Sequence, residues 1–148
     1  MAGVLGQPLW SVRLGVGSFI TFDFGAKVED HGRAVGAYHL WIYMCDWQMI
    51  SKDRVIAHSE LSRKVLEIAV RRFEGRALSK INISQNPAAA VFAFEGDLKL
   101  VCQAYEDAEA DEELWMLFAP EGRIVSLAPQ GILLEKESRS AARRAVNF

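Results

Sequence analysis

The stretch that decides the fold is Tyr38-His39-Leu40-Trp41-Ile42-Tyr43-Met44-Cys45-Asp46-Trp47. Alternation places Leu40, Ile42 and Met44 on one side and His39, Trp41, Tyr43, Cys45 and Trp47 on the other. Both sides are largely apolar, as expected of an internal strand covered on each face. Working backwards, Trp10, Val12 and Leu14 alternate with Ser11 and Arg13, and Phe19 to Phe24 repeats the pattern after a Gly15-Val16-Gly17 break. Gly25 to Gly36 has three glycines, Asp30 and His31 without periodicity, and reads as a polar connection between the second and third strands.

Forwards, Ser59 stands at an N-cap position, and Leu61, Val65, Ile68, Ala69 and Phe73 follow at helical spacing as the inward stripe of one main amphipathic helix ending at Gly75. Beyond it the chain reads as a meander of short strands at about 77–84, 90–95, 98–105, 114–119, 123–128 and 131–136. The breaks are Asn86-Pro87, Glu95-Gly96-Asp97 and Pro120-Glu121-Gly122. The C-terminal SRSAARRAVNF is helix-compatible but short, so it either docks as a final turn or frays. The fold class is α+β: a curved, largely antiparallel sheet of about eight or nine strands around one main helix. No repeat or linker divides residues 1–148, which read as a single domain.

Composition narrows the function. A hydrophobic content of 51% with 24% charged residues excludes a disordered chain, and no apolar run is long enough for a membrane helix. The N-terminus lacks a basic region followed by a long apolar one, which points to the cytoplasm. A net charge of −2 and the absence of a basic stripe argue against a nucleic-acid partner. The charge is nevertheless uneven. Residues 95–113 carry eight acidic groups and one basic group, and Glu106, Asp107, Glu109, Asp111, Glu112 and Glu113 fill six of eight consecutive positions. Like charges at that density belong on a solvated loop, where they can steer a basic protein partner.

No residue set carries catalysis, metal or a cofactor. Gly15-Val16-Gly17-Ser18 leads into a strand rather than the helix a phosphate loop requires, and reads as a glycine bend. His31, His39 and His58 lack metal-site spacing, and Cys45 and Cys102 read as small buried hydrophobes. Asp46 falls on the opposite strand face from His39 and Cys45, which separates a nucleophile from its base. The acidic segment lacks the residue order of a calcium loop.

The blocks GVGSFITFDFG (15–25), YHLWIYMCDW (38–47) and LWMLFAPEGRIVSL (114–127) resemble those of small bacterial proteins, some of them immunity proteins of polymorphic toxin systems. They cover about a quarter of the chain and carry no catalytic signature. The resemblance implies a non-enzymatic intracellular binding protein, and its most concrete form is an immunity-like protein whose acidic segment Glu106 to Glu113 steers a basic toxin. A second reading is a small-molecule-binding protein or enzyme whose pocket, between helix and sheet, is lined by His39, Trp41 and Tyr43, with His39 as acid or base. A third is a homodimer formed through strand edges.

Overall fold

The computed structural model describes residues 2–137, so the C-terminal segment expected to dock or fray lies outside the described residues. Within them eleven strands form: β1 (Leu9–Leu14), β2 (Ile20–Asp30), β3 (Arg33–Ile42), β4 (Asp46–Ser51), β5 (Arg54–His58), β6 (Leu78–Gln85), β7 (Ala88–Phe94), β8 (Leu98–Gln103), β9 (Trp115–Phe118), β10 (Arg123–Leu127) and β11 (Leu133–Glu137). A helix, α1 (Arg63–Val70), separates β5 from β6. These strands pair antiparallel throughout, in a six-stranded sheet ordered β1-β2-β3-β9-β10-β11 and a five-stranded sheet ordered β5-β4-β8-β7-β6.

The broad α+β, antiparallel reading therefore holds, and two of its details are corrected. The described residues form two sheets with eleven strands, not one curved sheet with eight or nine, and the sheets pack on each other rather than around the helix. Phe22 and Phe24 of β2 meet Phe94 of β7 at ring separations of 5.6 and 6.3 Å, and Trp115 of β9 meets Phe92 of β7 edge-on at 5.6 Å. These rings join one continuous core with Leu40, Ile42, Trp47, Met49 and Leu100. Interdigitation of two inner faces is the usual way for sheets with one apolar side each to exclude water.

The chain changes sheets inside the stretch read as one strand. β3 stops at Ile42, the Cys45 amide turns back to the Tyr43 carbonyl, and β4 starts at Asp46 in the other sheet. The Gly25–Gly36 segment is likewise not a loop. β2 and β3 run on through it to a two-residue turn at His31-Gly32, whose φ values of 49° and 78° give the left-handed turn that suits twisted strands. Lys52-Asp53, at 50° and 63°, makes the same kind of turn between β4 and β5.

The helix is also shorter than expected. It begins after Ser62, covers eight residues, and ends in a 3-10 turn at Arg71–Phe73. The buried residues of this segment are Leu66, Val70 and Phe73, whereas Val65 and Ile68 of the expected stripe are 46% and 68% exposed. Packed beside β1 and β5 at the flank of the two sheets, α1 buries only a narrow i, i+4, i+7 stripe. Gly75 (φ 78°) then turns the chain, and its amide donates to the Leu9 carbonyl. No helix among the described residues is long and apolar enough to cross a membrane.

Candidate functional site

Two surfaces of opposite charge stand out. The first lies on the outer face of the six-stranded sheet, where Thr21, Asp23, His39, Trp41, Phe118 and Ser126 are buried although they point away from the core between the sheets. A register shift after Phe24, with Gly25 at φ 77°, bends the β2–β3 hairpin, so that Arg33 near its tip lines the same cavity as Thr21 and Trp41. Asp23 pins the bend. Its Oδ1 accepts 2.8 Å hydrogen bonds from the Gly36 amide and from His39 Nδ1, and Arg13 Nη2 stands 3.9 Å from its Oδ2. Position 36 must be glycine, because a Cβ there would come within 2.7 Å of the Phe24 and Tyr38 backbone.

Burial pushes the Asp23 carboxyl up. The hydrogen bond and charge of His39, the Gly36 amide and Arg13 more than offset that, so its pKa ends below the ordinary value. His39 is thus placed as the partner of Asp23. Of the three residues expected to line a pocket, Trp41 and Tyr43 border the cavity and His39 lies buried on the same strand face. The cavity, of about 760 Å³, is walled further by Phe19, Arg13, Arg33 and Arg63. Sequence reasoning missed these arginines.

The second surface is acidic. The β8–β9 connection carries the six acidic residues as expected, with Glu106, Asp107, Glu109 and Asp111 exposed and Glu112 and Glu113 half-buried. Glu112 folds back to accept a hydrogen bond from the Glu109 amide at 3.1 Å, which shapes the loop. Beside it, Asp46 and Glu60 border a cleft of about 370 Å³ with Gln48, His58 and Gln103. Ser59 ties this cleft together, accepting from the Trp47 amide at 3.2 Å and donating to Asp46 at 3.3 Å.

Tyr105 reports the local potential. Partial burial, and then the charges of Asp46, Cys45, Glu60 and Glu112, push its hydroxyl above the ordinary tyrosine value. Carboxylates from β4, the β5–α1 connection and the β8–β9 loop therefore act on one point. The double variant Asp46→Asn/Glu60→Gln is expected to bring the Tyr105 titration back towards about pH 10, read by ultraviolet absorbance against a Tyr105→Phe control. An unmoved titration would mean that the two sets of carboxylates are electrically separate.

No nucleophile emerges from the cysteines. Cys45 and Cys102 are buried and free, and burial, followed by the neighbouring Cys45, pushes the Cys102 thiol well up, away from the reactive thiolate. Among the described residues no group of three or more His, Cys, Asp or Glu is placed to hold a metal ion. No known family, curated protein or solved structure matches the chain.

Proposed function

We propose that the protein is a non-enzymatic, cytoplasmic binding protein that captures a basic protein partner on its acidic surface, with an immunity-like neutralisation of a basic toxin as the most concrete form. The observation that carries this reading is the clustering of Asp46, Glu60 and Glu112 about Tyr105, continuous with the exposed Glu106, Asp107, Glu109 and Asp111. A surface of one sign with a cleft in it concentrates an oppositely charged partner and speeds encounter, whatever the final affinity. The cleft beside it, with the side-chain oxygens of Gln48 and Gln103 at its rim beside the Asp46 and Glu60 carboxylates, offers acceptors to an inserted lysine or arginine.

Capture with tagged protein from a lysate of the native host, at low and at moderate salt, tests the reading. One basic protein retained at low salt and lost as salt rises is the expected result. Retention of nothing specific, or of an acidic protein insensitive to salt, overturns it.

A further inference from the structure

The cavity on the outer face of the six-stranded sheet carries the opposite charge, and its chemistry is independent of the acidic surface. Three guanidinium groups, Arg13, Arg33 and Arg63, border it, and among the described residues no acidic one does. They are not equivalent. Arg63 is committed to the frame, donating to the carbonyls of Leu14, Gly15 and Gly17 at 3.2, 2.6 and 3.3 Å and to Glu67 at 3.1 Å. It fixes the glycine bend as one rim of the cavity, with carbonyls rather than amides engaged there.

Arg13 stands 3.9 Å from Asp23, an ion pair beyond hydrogen-bond reach, and among the described residues no side-chain hydrogen bond engages its donors, while Arg33 has no ion pair among them. The same cavity has an aromatic wall in which Tyr43 lies 4.7 Å from Phe19 and 4.4 Å from Trp41 between ring centroids, with Phe19 and Tyr43 half-buried.

We propose that this cavity binds a small aromatic phosphate of the mononucleotide class, its phosphate held by Arg13 and Arg33 and its ring laid against Phe19 and Tyr43. Two available guanidinium forks suit a phosphate dianion with three terminal oxygens, whereas a single carboxylate would occupy only one fork. Every nucleobase has a face that stacks on an aromatic ring, so the wall favours a ring-bearing phosphate over a bare one. The volume falls within the range of small-molecule sites.

Calorimetric titration with adenosine and uridine 5′-monophosphates, adenosine and inorganic phosphate is the test. At least one nucleotide is expected to saturate the protein, with adenosine and phosphate each at least about tenfold weaker. Arg33→Glu, at an exposed hairpin tip, should weaken the nucleotide at least about tenfold while leaving the unliganded melting temperature unchanged. Tyr43→Ala should remove the preference for nucleotide over phosphate. Should Arg33→Glu lower the melting temperature, Arg33→Gln replaces it, with the same loss of affinity expected. Absence of saturable binding by both nucleotides, phosphate binding as tightly as nucleotide, or full affinity in the folded Arg33 variant would each overturn the proposal.

Discussion

Replacing Asp23 with alanine is expected to cost about 2–5 kcal/mol of stability, because two buried donors lose their acceptor at about 1–3 kcal/mol each. The carboxylate is fully buried, and its loss strands the Gly36 amide and His39 Nδ1, both donors that Asp23 now satisfies. Because its pKa is lowered in the folded chain, the unfolded chain binds more protons between the two values, and stability rises with pH there. The contribution of Asp23 is therefore complete above about pH 4, the ordinary carboxyl value, and is lost as pH falls through its lower folded value. Urea unfolding followed by circular dichroism at pH 7, and again at successively lower pH below about 4, measures both effects. Asp23→Ala should unfold at lower urea throughout and lose less additional stability on acidification than the parent. A variant within about 0.5 kcal/mol of the parent would show that Asp23 does not hold the hairpin bend.

Phe22→Ala is expected to be as damaging, at about 3–5 kcal/mol, because truncating a fully buried ring removes transfer energy and leaves a cavity. Phe22 touches three other rings, with Phe73 edge-on at 5.3 Å, Phe94 at 5.6 Å and Phe24 at 6.1 Å. It thus connects β2, the opposite sheet and the turn that ends the helix. Collapse around the gap would have to move all three, which limits relaxation. Ile68→Ala, on the exposed side of α1, should lie within about 0.5 kcal/mol of the parent. Equal losses in the two variants by urea unfolding would place the core on the wrong face of the helix.

Those two substitutions mark where the sequence is legible and where it is not. Alternation over Phe19 to Phe24 identifies the strand that carries Phe22, because a strand with one buried face writes its period directly into the chain. The strands from β6 to β11 are legible for the same reason, with boundaries within about three residues, but the expected single meander is broken between β8, which pairs with β4, and β9, which pairs with β3. The change of sheet at Tyr43–Cys45 is not, since a run apolar on both faces hides a corner without glycine or proline to mark it. The His31-Gly32 turn is obscured by the polar residues around it, and the Lys52-Asp53 turn contains no glycine to mark its left-handed backbone. The helix offers two apolar stripes, and its position at the flank of the sheets selects the one through Leu66.

The acidic surface is legible in part. Six carboxylates in eight positions announce a solvated loop, but the approach of Asp46 and Glu60 to it depends on the pairing of β4 with β8 and β5. The arginine cavity leaves no mark in the chain. Arg13, Arg33 and Arg63 stand 20 and 30 residues apart on three elements, and only the bend at Gly25 and the packing of α1 against β1 bring them together.

The most direct test of the central claim, that the acidic surface recruits a basic partner, is the association rate of that partner by stopped flow across a salt series. It compares the parent with the variant Glu109→Gln/Asp111→Asn/Glu112→Gln/Glu113→Gln, in which the amide side chain introduced by Glu112→Gln keeps an acceptor oxygen for the Glu109 backbone N–H. The parent should associate at least about tenfold faster than the variant at low salt, with the difference closing as salt rises and dissociation little changed. Equal rates with equal salt dependence would contradict the claim.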